Sequence, residues 1–169
     1  SWEAPFSNQV FKEKNKMNNF YNLIDTIKSK VSESAFNNKV TFGDITDVDL
    51  NKLTSFPLAH IMVDSVEIMD RTIDFTVTVI VMDVVNVSKN EGFDDDFYGN
   101  DNVQDILNAQ LSVISTLIGL LKRLDLNNSN FSRITQSVTA TPFLDRFENE
   151  LAGWEATMVI STLNDSSIC

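Results

Sequence analysis

The stretch IMVDSVEIMDRTIDFTVTVIVM (61–82) sets the architecture. Ile61, Val63, Val66 and Ile68 lead to a polar pair, Asp70 and Arg71, after which Ile73, Phe75, Val77, Val79 and Val81 alternate with Asp74, Thr76 and Thr78. Successive side chains of an extended chain point to opposite faces, so this pattern predicts a long antiparallel hairpin with one apolar side. Past Thr78 the alternation ends, because Ile80 and Met82 make the far end apolar on both sides. That second face needs a cover, which makes Ile80 and Met82 candidate contacts with a neighbouring subunit or partner.

Upstream of the hairpin, Phe20, Leu23, Ile24, Ile27 and Val31 step by three and four, with Asn18 or Asn19 available as N-cap. This predicts an amphipathic helix ending near Ser34. Val40, Thr41 and Phe42 then read as a short strand closed by Gly43. The acids that follow, Asp44, Asp47 and Asp49, do not make a calcium loop. The stretch after Asp44 offers Leu53, Thr54 and Ser55 where an EF-hand needs its closing Glu. Residues 1–16, SWEAPFSNQVFKEKNK, show no sustained period and read as an arm or extension outside a single domain spanning 17–169.

Downstream, residues 86–102 form a polar excursion in which Asp94, Asp95 and Asp96 are flanked by Phe93, Phe97 and Tyr98. Loops this long in compact domains are usually functional or mobile, and such an acidic run is most often only solvated; adjacent carboxylates lack the convergent geometry of a metal site, and the aromatics around them favour partner contact. Val103, Ile106, Leu107, Leu111, Ile114, Leu117, Ile118, Leu121 and Leu124 then share one helical stripe, with Lys122 and Arg123 at the end where cations suit the helix dipole. Val113 and Leu120 lie off that stripe, so the face is broader than one sheet contact requires, and both become candidate subunit contacts. Ile134 to Thr141 reads as a strand closed by Pro142, followed by an amphipathic turn carrying Phe143, Phe147 and Leu151. A last strand places Trp154, Ala156, Met158 and Ile160 on one face. The expected fold is α+β, an antiparallel sheet with a long β-hairpin packed against two helices.

The chain carries 24 acidic against 13 basic side chains, a formal net charge of −11 and a pI near 4.3. A protein that held DNA through its phosphates would need a basic face, so DNA binding is not expected. No apolar run approaches the roughly 18 residues of a membrane span, and the N-terminus lacks the layout of a signal peptide, so a soluble protein outside that export route is expected. The single cysteine, Cys169, rules out an internal disulfide framework or a cysteine-rich zinc site. His60 is the only histidine, so no multi-histidine metal site can form, and nothing near it resembles a nucleophile elbow. The five glycines fall into no phosphate-binding pattern. Acid pairs such as Asp145 with Glu148, or Glu148 with Glu150, are what 24 carboxylates produce by chance. No catalytic, cofactor-binding or metal-binding residue is assigned, and binding or assembly is the expected role rather than enzymatic activity.

FPLAHIMVDSV (56–66), FTVTVIVMDVV (75–85), NDNVQDILNAQLSVISTLIGLL (100–121) and PFLDRFENELAGWEATMVIS (142–161) together resemble a family of small phage virion proteins. The resemblance covers most of Met17 to Cys169, and its element order is similar to that of tail terminator, tail completion and related neck proteins of long-tailed bacteriophages. It implies a tail-terminator-like α+β subunit in a heterologous ring, commonly of six subunits and alternatively twelve, at the end of the tail tube or at the head-to-tail connector. Implied partners are further copies of the chain and the tail tube, connector or neck proteins, with DNA passing through the lumen without specific binding and no membrane involved. The implied location is the virion, after assembly in the host cytoplasm. On this reading the hairpin, Phe93 to Tyr98 and the Val113 and Leu120 side of the long helix face neighbours. Carboxylates lining the lumen would repel phosphates and let a genome slide past. The alternative is an adaptor with one protein partner and no ring.

Overall fold

The computed structural model describes residues 19–34, 36–37, 39–47, 56–85, 103–123, 133–134, 136–146 and 151–164. Helix α1 (Asn19–Ser32) leads to strand β1 (Lys39–Phe42) and a turn of 3-10 helix (Ile45–Asp47). The hairpin follows as β2 (Leu58–Ile68) and β3 (Thr72–Val84), then helix α2 (Val103–Arg123). Strands β4 (Arg133–Ile134), β5 (Thr139–Arg146) and β6 (Leu151–Leu163) complete a sheet ordered β1-β2-β3-β6, with β4 and β5 both on the far flank of β6. The fold is α+β, with α1 and α2 packed on one face of a mixed sheet.

The hairpin forms where the alternation predicts, with one irregularity that explains its pattern. Ile61 and Val63 are odd-numbered while Val66 and Ile68 are even, yet all four stand opposite Val79, Val77, Phe75 and Ile73. A register shift between Val63 and Ser65 absorbs one residue, so the bulge at Asp64 returns Val66 and Ile68 to the apolar face. Against that face α1 buries Leu23, Ile24, Ile27 and Val31, and α2 buries Val113, Ile114, Leu117 and Leu121. Fully burying an aliphatic side chain of this size contributes about 1.5–3 kcal/mol, so this layer holds the domain together. Trp154, Ala156, Met158 and Ile160 do share a face, the one under the helices, and the Trp154 indole donates to the Leu107 carbonyl of α2 at 2.7 Å. By length and composition α2 is apolar enough to cross a bilayer, but its buried side lies on β3 and β6 as that of a core helix does.

Four expectations are corrected. The sheet is not wholly antiparallel: β1 runs parallel to β2, pairing Lys39 with Leu58 through Phe42 with Ile61. A four-residue strand carries no mark of its direction, and residues 43–57 are long enough for the crossover that parallel pairing needs. The strand foreseen over 134–141 is two strands, and Pro142 sits inside β5 opposite Trp154. Among the described residues β5 pairs only with β6, and an edge strand tolerates a residue that cannot donate to a ladder. Phe143 belongs to β5 and Leu151 to β6, so these two are strand residues rather than part of a turn, while Phe147 lies outside the described residues. The core stripe of α2 is rotated from the expected one: Gln110 and Val113 are buried, whereas Leu111 is 40% exposed.

Candidate functional site

The sheet face turned away from the helices divides into two halves. At one end Leu58, Ile80, Met82 and Leu151 form a second apolar cluster with Phe56, and Ile45, Met62, Val84 and Phe143 pack around it. Ile80 and Met82 are 3% and 0% exposed, so they are not subunit contacts. The cover that their pattern required comes from the chain itself, through the connection between β1 and β2, which returns Ile45 and Phe56 over the strands. Val113 is likewise interior, in the main core, while Leu120 is partly exposed on α2. Phe93, Asp94, Asp95, Asp96, Phe97 and Tyr98 lie outside the described residues.

The other half of this face is polar. The Thr78 hydroxyl, almost fully buried, donates to the Asp64 carboxylate at 2.5 Å and accepts from the Thr157 hydroxyl at 2.9 Å. Ser161 donates to Asp74 at 2.5 Å, and Glu67 stands directly opposite Asp74 on the neighbouring strand. Carboxylates therefore dominate the β2–β3 part of the surface. Where β1 stops, Gly43 adopts a φ of 125°, a conformation open to glycine, and the chain leaves the sheet. A cleft of about 420 Å³ opens at this point, lined by Phe42, Gly43, Asp44, Met62, Val63 and Asp64. Beyond it the hairpin end exposes Val66, Ile68 and Met69, with Leu163 of β6 close by in register with Thr72. Ile68 is 73% exposed, at the far end of a strand whose first four residues, Leu58 to Ile61, are buried.

His60 serves the frame of this site. It has no exposed surface, and its Nε2 lies 2.9 Å from the Gly43 carbonyl, an atom that only accepts, so Nε2 carries the proton. Nδ1 then accepts from the Thr41 hydroxyl at 2.7 Å. The ring thus pins both the end of β1 and the turn that follows it. Burial holds its basicity below the ordinary value, while the Gly43 bond and the charge of Asp44 act the other way. Asp44 is itself held below the usual carboxylate range by hydrogen bonds from the Thr46 backbone and hydroxyl.

These directions predict a pH dependence. With the folded-state value of His60 depressed, the unfolded chain takes up the proton first, so stability is fully present above about pH 6.5 and is lost as pH falls below it. Urea unfolding at pH 7.5 and 5.5 should show a lower midpoint at the acidic pH, and His60→Gln should remove most of that difference. An equal pH response in the variant would assign the loss to other groups.

Among the described residues no three His, Cys, Asp or Glu side chains gather as metal ligands would. No known protein-family model and no curated protein matches this chain. The sequence offered Ile80 and Met82 as contacts, and the chain's own residues cover both. The exposed residues at Val66 and Ile68 were legible as apolar positions; that the helices stop short of them was not.

Proposed function

We propose that this chain is a structural virion protein of a bacteriophage, closing into a ring at the end of the tail tube or at the neck between tail and head. Its role is assembly rather than catalysis. The observation that carries this reading is the exposed apolar end of the hairpin, Val66, Ile68 and Met69, on a chain whose stretches resemble the tail terminator and neck proteins. A strand pair that projects isoleucine and valine past its own helices needs a neighbour to cover them. In a head-to-tail ring the patch meets a different surface of the next copy, and the contact closes when the rotation closes. The carboxylates Asp64, Glu67 and Asp74 suit a protein past which DNA moves, because they repel phosphates.

Light scattering after gel filtration, at several protein and salt concentrations, tests this. A species of about six or twelve times 19.0 kDa is expected. Ile68→Asp should reduce it to monomer while changing unfolding free energy by less than about 1 kcal/mol, since the position is exposed. A wild-type protein that stays monomeric at every concentration and in the presence of tail tubes would sink the ring.

A non-ring adaptor is the second reading. It is favoured by one feature, the flank of β2 beyond Ile61, which no strand among the described residues covers.

A further inference from the structure

We infer that the free edge of β2, from Val63 to Ile68, is a docking site for an extended segment of a partner protein that alternates basic and apolar residues. The edge is open because β1 pairs only with Leu58 to Ile61, and among the described residues no strand takes its place beside Met62 to Ile68. The direction of the free backbone groups follows from the ladder. Lys39 and Gly43 donate to the carbonyls of Pro57 and Ile61, so those carbonyls point away from β3. Paired residues of an antiparallel ladder alternate between facing the partner and facing outward. Carried through the bulge by the β2–β3 register, the outward residues are Val63, Val66 and Ile68, the partners of Val77, Phe75 and Ile73. Their amides and carbonyls form a template for an added strand.

The two faces of the edge state what that strand carries. On the helix side Val66 and Ile68 are exposed and accept apolar side chains. On the other side stand Asp64, held there by its bond from Thr78, and Glu67, with Asp44 across the cleft in which β1 ends. A strand entering along the line that β1 vacates would place a basic side chain in that cleft between Asp44 and Asp64, and the next near Glu67. A second copy docked edge to edge, β2 against β2, fits poorly. Pairing β2 with β2 would set Asp64 and Glu67 against their own counterparts, on molecules that each carry a net charge of −11. Edge carboxylates of this kind oppose pairing of two like edges while admitting a complementary strand.

The probe is a capped heptapeptide of alternating lysine and valine, titrated into the full chain by calorimetry, with amide hydrogen exchange read in parallel. The expected result is binding about tenfold or more tighter than that of a peptide of the same composition with its lysines contiguous, a difference of about 1.4 kcal/mol. It should be accompanied by slowed exchange of the Val66 and Ile68 amides. Val66→Pro removes an outward donor without breaking the ladder to β3 and should abolish the preference. Asp64→Asn with Glu67→Gln, which keeps the acceptor for Thr78, should weaken binding and flatten its salt dependence. Equal binding of both peptides, or a Val66→Pro variant that folds and binds unchanged, would overturn the proposal in favour of unspecific charge attraction. Binding that appears only after residues 1–16 are removed would also overturn it, assigning the edge to the chain's own Lys12, Lys14 and Lys16.

Discussion

Gly153→Ala is expected to lower the unfolding free energy by about 3 kcal/mol or more, the upper range for forcing atoms into a packed interior. Gly153 stands opposite Met82, where β6 crosses β3. A Cβ placed on it would lie 1.9 Å from the Val81 carbonyl oxygen and 2.9 Å from the Met82 Cα. Both obstacles are backbone, and β3 is held on its two flanks by β2 and β6, so no rotamer change relieves the contact. The urea midpoint should fall by about 1–2 M. Gly119→Ala is the matched control. It sits inside α2 with nothing within 4 Å of its added Cβ, and alanine there should stabilise by about 0.5–1 kcal/mol. If Gly153→Ala unfolded at the wild-type midpoint, β3 and β6 could not approach as closely as they do here.

Leu117→Ala should cost about 3 kcal/mol, within the range for a leucine truncated in a rigid core, and lower the melting temperature by about 6–12 °C. Leu117 is 2% exposed at the centre of the α2 face that packs on β3 and β6. Leu111, six residues earlier and 40% exposed, should cost less than about 1 kcal/mol on the same substitution. The contrast discriminates between two orientations of α2 on the sheet. The repeat of apolar residues along the helix admits both; comparable losses at the two positions, measured by thermal unfolding, would reject the one described here.

Periodicity was enough to find α1, β1, the hairpin, α2 and the last strand, because each writes its own spacing into the chain. It failed where the information is not local. Gln110 is buried although polar, and its amide nitrogen donates to the Phe36 carbonyl at 3.1 Å, a partner 74 residues away that no pattern within α2 reveals. Pro142 lacks a backbone donor and so reads as a stop, yet an edge position lets β5 run through it. Ile80, Met82 and Val113 stand out along the chain as surplus apolar positions, and all three are buried. Surplus at one element is the same signal whether a neighbouring molecule or the chain's own return loop covers it.

The amino-acid sequence alone set the elements, their order and the faces they turn inward, since alternation by two and stepping by three and four are consequences of backbone geometry. It also carried the acidity and the resemblance on which the proposed ring rests. The tertiary structure decided the parallel direction of β1, the burial of Ile80 and Met82, the tautomer of His60 and, among the described residues, an edge from Val63 to Ile68 that no strand covers. These depend on where a strand stops relative to another one distant in sequence. Side-chain chemistry is local and can be read along the chain; coverage is a relation between distant segments and exists only once the chain is folded.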